Sequence, residues 1–198
     1  MYTYRNLSPE QKAEVVRQRL QKGYPPHSPP HPITDSSHYL ITATCYKHKH
    51  RLNTSQRCQQ LLDRLFETFI GENIEILAWV ILTNHYHLLT TTVNFPWLSR
   101  EIRLIHGRLA RQWNQEDGVT GKIWSSYSDR AIRSETHYYR VINYIHYNPV
   151  KHKSVSSPYD WQESSVHWYR QEKGRDWLRD CWVKYPIKDY GQEWDTFP

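Results

Sequence analysis

No stretch of this sequence is apolar for long enough to cross a bilayer. The longest uninterrupted run, "ILAWVIL" at residues 76–82, falls far short of the roughly 20 residues a spanning helix needs. An apolar leader is also missing, since the chain opens "MYTYRNLSPEQKAEVV"; the expectation is a soluble, intracellular protein. Cysteine is scarce, and Cys45, Cys58 and Cys181 form no C-x-x-C pair. Three widely spaced thiols fit a reducing compartment and argue against a zinc ribbon or a disulfide framework. At 198 residues the chain has room for one well-buried domain with appendages, and length argues against two full domains.

What the sequence has in quantity is positive charge and aromatic surface. The net charge is +6, with nine tryptophans and 15 tyrosines. The excess is uneven: residues 96–153 carry 10 Lys/Arg against 5 Asp/Glu, whereas residues 154–198 carry 6 against 8. A basic, aromatic-rich middle is the composition of a surface that neutralises phosphates and stacks on unpaired bases, although many basic proteins bind no nucleic acid.

Local signals divide the chain into three parts. "LSPEQKAEVVRQRLQKG" reads as a short helix with Ser8 as N-cap, Pro9 in the first turn and Gly23 closing it. The proline-rich "YPPHSPPHP" then reads as an extended arm, so residues 1–33 form a helix and arm and the compact domain begins near Ile33. Residues 34–160 give strand "HYLITATCY", helix "TSQRCQQLLDRLFETFI", strands "IEILAWVILT" and "HYHLLTTTV" joined tightly through Thr83-Asn84, helix "WLSREIRLIHGRLARQW", an extended "KIWSSYSDRAI", and helix "SETHYYRVINYIHYN", which Pro149 is expected to limit. That order predicts an α+β, ferredoxin-like or RRM-like sandwich: an antiparallel sheet with helices mainly on one face. Residues 161–198 form a tryptophan-rich, slightly acidic tail, expected to pack across the domain.

Within "LTNHYHLLTTT", His85 and His87 stand one residue apart on a strand-like run. Alternate strand residues share a face, with Cα atoms roughly 6.6 Å apart, so both imidazoles can reach one metal ion or phosphate. With 12 histidines in the chain such a pair arises by chance, and His48 and His50 in "YKHKHRL" make another. Partners decide between them. On the last helix Tyr144 and Asn148 are four residues apart and share a face at the edge of the stripe Tyr138, Val141, Ile142 and Ile145. Two imidazoles and an amide oxygen would make a three-ligand metal site with open positions.

"ILAWVILTNHYHLLTTT" followed some fifty residues later by "YYRVINYIHYNPVKHKSV" resembles the single-tyrosine HUH transposases, most closely the REP-associated tyrosine transposases, over roughly residues 38–160. The resemblance implies that His85, His87 and Asn148 bind a divalent metal and that Tyr144 is the nucleophile. It implies a metal-dependent transposase that cleaves and rejoins single-stranded or hairpin-forming palindromic DNA through a covalent 5′-phosphotyrosine. It further implies a cytoplasmic, bacterial, nucleoid-associated protein. Mixed nitrogen and oxygen ligands suit magnesium or manganese. Two positions depart from the family: its usual hydrophobe between the histidines is Tyr86 here, and its frequent glycine after "NPVKH" is Lys153.

Arg100, Arg103, Arg108 and Arg111 on the fifth predicted element, with Arg133, Arg140 and Lys151 around the last helix, are the candidate DNA contacts. Among neighbouring tyrosines, Tyr138 falls on the apolar stripe and Tyr147 on the polar side, where it faces solvent or a base; only Tyr144 has a candidate ligand one turn onward. His137, one heptad before Tyr144, is a candidate substrate contact or proton shuttle, and His146 and His152 receive no role. A rival class is a non-catalytic single-stranded nucleic-acid-binding module on an RRM-like sheet; a zinc hydrolase would want a carboxylate or histidine where Asn148 stands. Monomer and homodimer both remain open.

Overall fold

The computed structural model describes residues 8–21, 36–91 and 93–191, without the side chains of residues 19 and 20. The chain divides into two compact units, Met1–Asp35 and Ser36–Pro198. In the first, α1 (Pro9–Gln21) begins with a capping box: Gln11 N donates to Ser8 Oγ at 3.3 Å while Ser8 N donates to Gln11 Oε1 at 2.9 Å. The expected proline arm and the end of the C-terminal tail, residues 192–198, lie outside the described residues.

The second unit contains β1 (His38–Thr44), α2 (Ser55–Ile70), β2 (Ile76–Ile81), β3 (His85–Thr91), α3 (Phe95–Glu116), β4 (Ser128–Ala131), α4 (Glu135–Lys151), α5 (Val166–Glu172) and α6 (Arg175–Lys184). The strands form an antiparallel sheet in the order β2-β3-β1-β4. This is the order a split β-α-β produces, because each crossover helix carries the chain past one intervening strand. The α+β expectation holds. β4 is shorter than the extended segment predicted for it; upstream, Trp124 makes only an isolated bridge to Cys45.

The strand pleat sorts side chains onto two cores. On one face Tyr39, Ile41, Ala43, Tyr86 and Leu88 meet Leu61, Leu65 and Phe69 of α2 and Leu98, Ile102, Ile105 and Leu109 of α3. Full burial of each such Leu, Ile or Phe side chain contributes about 1.5–3 kcal/mol. Thr54 and Asn94 start these helices by accepting from Arg57 N and Trp97 N. On the other face Leu40, Val80 and Leu89 lie beneath Val141, Ile142 and Ile145 of α4, with Val166, Tyr169 and Leu178 of the C-terminal segment.

The expectation of helices mainly on one face is therefore corrected. The two crossover helices share a face, but α4 and the helices after it cover the other. The C-terminal segment also closes the β2 edge, Ile81 N donating to Glu163 O and Ser165 N to Trp79 O, both at 2.9 Å.

Pro149 does not end α4, which runs on to Lys151. Proline removes one N–H near the helix terminus, and the last turn is closed instead by Lys153 N donating to Val150 O and Ser154 N to Pro149 O, both at 2.9 Å. That is a Schellman closure, and it holds Lys153 at φ +57°. A glycine at this position would adopt such a φ without strain. Among the described residues no helix is long and apolar enough to cross a membrane.

Candidate active site

The two-residue turn Thr83-Asn84 is closed by Leu82 N donating to His85 O at 2.8 Å, so β3 begins at His85. Cross-strand pairing sets Thr44 opposite His85 and Thr42 opposite His87. Both imidazoles project toward α4, with ring centroids 5.1 Å apart. Tyr144 and Asn148, one helical turn apart, look back at them. The Tyr144 hydroxyl is 3.3 Å from His87 Nε2, and Asn148 Oδ1 is 3.2 Å from His85 Nε2. The four side chains converge within one chain, and all are buried: His85 is 1% exposed and the other three 0%.

Each imidazole is oriented through its outer nitrogen. His85 Nδ1 lies 2.6 Å from Asn84 Oδ1, and His87 Nδ1 lies 2.7 Å from Thr42 Oγ1. With Nδ1–H donating to Asn84 Oδ1, the His85 Nε2 lone pair points inward toward the Asn148 amide, and Thr42 Oγ1, which donates or accepts, lets His87 turn the same lone pair toward the Tyr144 hydroxyl. A cation fits between such electron pairs, and Asn148 Nδ2 is buried without a hydrogen-bond partner among the described residues. No group of three His, Cys, Asp or Glu among them could hold a metal. The candidate donor set is thus two imidazoles and an amide oxygen, with the His152 ring 4.9 Å from that of His85.

The site is closed from above by the end of the C-terminal segment. The Tyr190 ring meets that of Tyr144 edge-on at 5.4 Å, and its hydroxyl lies 2.8 Å from His137 Nε2. Lys151 Nζ donates to Gly191 O at 2.6 Å and sits 5.0 Å from the Tyr144 ring centroid. Gly191, at φ +77°, approaches so closely that a Cβ there would clash with Tyr144 Cε2. Burial, and then Arg140, Arg133 and Arg130, hold the His137 pKa below its ordinary value. Burial pushes the Tyr190 phenol up, against the opposing effect of Arg130 and Arg140. A cationic cluster therefore adjoins the nucleophile candidate.

The other sequence candidates fall as follows. Arg133 and Arg140 act electrostatically on His137, and Lys151 touches Tyr144. Arg100, Arg103, Arg108 and Arg111 are exposed on α3, which packs on the sheet face opposite the imidazoles. These four candidate DNA contacts therefore do not adjoin the imidazoles: helix amphipathicity shows which side of a helix is buried, not which face of the sheet buries it. Tyr138 packs against the core as expected, whereas Tyr147 is half-buried against Trp182 rather than facing solvent. His146, given no role, is buried and bonded to Ser165 Oγ at 3.2 Å. Sequence reasoning missed Asn84, Thr42, Tyr190 and His152. Only His152 carried a signal, standing one turn beyond Asn148.

These features define a ferredoxin-like α+β protein with a tyrosine, two histidines and an asparagine gathered on one sheet face. The chain is similar to the REP-associated tyrosine transposase of Escherichia coli (strain K12), 29% identical over 134 residues that cover 65% of this chain and 76% of the relative. A solved structure of a REP-associated tyrosine transposase bound to a REP hairpin superposes with a TM-score of 0.56 at 27% identity, covering 79% of this chain and 87% of that one. The resemblance carried by "NHYH" and "YIHYNPVKH" is borne out. A putative transposase from Deinococcus radiodurans R1 is 18% identical with a TM-score of 0.39, over 58% of this chain and 92% of that one. No family model matches the chain.

Proposed function

We propose that this chain is a DNA-cleaving and strand-transferring enzyme of transposase type, acting on single-stranded, hairpin-forming DNA in the cytoplasm. Similarity to transposases supports the class, and the hairpin bound by the solved relative supports the substrate. The observation that carries the mechanism is the meeting of the Tyr144 hydroxyl with His87 Nε2 at 3.3 Å beside the His85–Asn148 pair.

In this reading Tyr144 Oη attacks the scissile phosphorus in line. The bond from phosphorus to the 3′-oxygen breaks, a 5′-phosphotyrosine forms, and the phenol proton ends on the released 3′-hydroxyl. Because the phosphodiester is exchanged rather than hydrolysed, rejoining needs no nucleotide cofactor. A phenol with an ordinary pKa of about 10 is a weak nucleophile at neutral pH, so the phosphate must be activated. His85, His87 and Asn148 would hold magnesium or manganese, which when bound polarises a non-bridging phosphate oxygen and stabilises its developing charge. Tyr144 then leaves its contact with His87 to reach phosphorus. The Tyr190–Gly191 segment has to move aside for DNA to enter, which frees Lys151 Nζ from Gly191 O to face a phosphate. Arg130, Arg133 and Arg140 would follow the flanking backbone.

A binding module on an open sheet lacks its surface, since Leu40, Val80 and Leu89 are buried beneath α4. The test is incubation with single-stranded hairpin oligonucleotides and magnesium or manganese, followed by a search for a protein–DNA adduct that survives denaturation. The adduct is expected with the native chain and with Tyr147→Phe, and absent with Tyr144→Phe. Metal-independent binding without an adduct would overturn the reading.

A further inference from the structure

The second histidine pair, set aside on sequence grounds, lies beside the first. Cys45 ends β1's pairing, its N donating to Asn84 O at 2.7 Å, and the chain then makes a tight turn through Tyr46–His48. Lys47 and His48 both have positive φ, 55° and 50°, although neither is glycine. Non-glycine residues persist in the left-handed region only where their surroundings over-determine them, and they cluster at functional sites. The turn brings the His48 carbonyl to Asn84, whose Nδ2 donates to it at 3.4 Å. At the other end of this amide, Oδ1 lies 2.6 Å from His85 Nδ1. Asn84 is 6% exposed.

The two contacts decide the amide's orientation together. A flipped Asn84 would set Oδ1 against the His48 carbonyl oxygen, acceptor against acceptor, so Nδ2 faces His48 and Oδ1 faces the imidazole. An acceptor at His85 Nδ1 requires the proton to sit there, which leaves on Nε2 a lone pair that the Asn148 amide, 3.2 Å away, satisfies in the metal-free chain by turning its otherwise unpartnered Nδ2 toward it.

We propose that Asn84 is a positioning residue that fixes His85 as the Nδ1–H tautomer, and that the left-handed Lys47–His48 turn aims it. The role of that tautomer as a metal ligand rests on the function proposed above, but the tautomer itself does not. Thr42 does not duplicate this device, because a hydroxyl both donates and accepts and is compatible with either tautomer of His87.

The test reads the metal-free full-length chain first. Long-range proton–nitrogen NMR correlations on the His85 ring are expected to show protonated Nδ1 and bare Nε2 in the native chain and in Asn84→Asp, whose carboxylate still accepts from Nδ1. In Asn84→Leu the ring should populate the other tautomer. Titration with manganese alone should then show affinity 10–100-fold lower in Asn84→Leu and within a few-fold of native in Asn84→Asp. An Nε2–H tautomer in the native chain, or an unchanged tautomer and affinity in Asn84→Leu, would overturn the proposal. A native chain that shows the expected tautomer, loses it in Asn84→Leu, yet binds no manganese would overturn the metal-site reading and leave the positioning role standing.

Discussion

Acidification should destabilise this domain through two imidazoles that lie outside the active site. His106 stacks on Trp124 at 4.0 Å and meets the Tyr86 hydroxyl at 3.1 Å beneath α3, while His146 is enclosed between α4 and the C-terminal segment. Burial, reinforced at His146 by His167, pushes both pKa values down to about 3. In the unfolded chain each takes up a proton as the pH falls through about 6.5, whereas the folded chain refuses it until about pH 3. The unfolded state binds more protons across that window, so stability falls with falling pH, by about 1.4 kcal/mol per unit for each histidine. Between pH 7.5 and 5.0 the loss is about 2 kcal/mol each and about 4 kcal/mol together, a large share of the 5–15 kcal/mol typical of a domain. Urea unfolding at a series of pH values measures it. His106→Gln and His146→Gln should each flatten the stability curve by about 2 kcal/mol over this range. Other histidines and the carboxylates contribute to native and variant curves alike and cancel in the difference. If either variant keeps the full native slope, the corresponding imidazole is not held neutral by burial and the reasoning fails.

Two further outcomes follow from the closure of α4 and of the site. Lys153→Gly removes a left-handed strain of about 1 kcal/mol at the Schellman position and restores part of it as unfolded-chain entropy, so urea unfolding should show a gain of about 0.5 kcal/mol; a loss would contradict the closure described. Gly191→Ala places a methyl against the Tyr144 ring at a φ of +77°, so the segment should lift and Tyr144 should become several-fold more reactive toward a tyrosine-nitrating reagent, read by peptide mass analysis; unchanged reactivity would mean that this segment does not cover the nucleophile candidate.

Much of the sheet was legible because its signals are local. Thr83-Asn84 between two apolar runs fixed the hairpin, and the spacing of Leu61, Leu62, Leu65 and Phe69 fixed one face of α2. The converging pair Tyr144 and Asn148 was legible for the same reason, being one turn apart on a periodic helix. What could not be read depends on contacts distant in sequence. Nothing local says that α3 and α4 cover opposite faces, which decides whether Arg103 or Arg140 adjoins the imidazoles. Pro149 misled because a proline's cost depends on whether its neighbours can close the turn, and here Lys153 and Ser154 do so. Asn84 was read only as a turn residue, since its two side-chain bonds join a loop 36 residues earlier to the ring of its own neighbour.

The parity of β3 is what makes the site possible, and the opposite face enforces it. A slip of one residue exchanges the two faces of a strand. It would carry His85 and His87 into the apolar layer under α2 and α3 and bring Tyr86 to Tyr144. Burying two imidazoles among Ile41, Leu61 and Leu65 without partners costs about 1–3 kcal/mol each. The native register instead gives each ring a polar neighbour at both nitrogens. Tyr86 strengthens this choice. Its hydroxyl is fully buried and finds His106 Nε2 at 3.1 Å, an acceptor because the low pKa of His106 keeps that imidazole neutral. The residue between the histidines therefore acts on the site from behind, by making the alternative register break the Tyr86–His106 contact as well as bury two imidazoles.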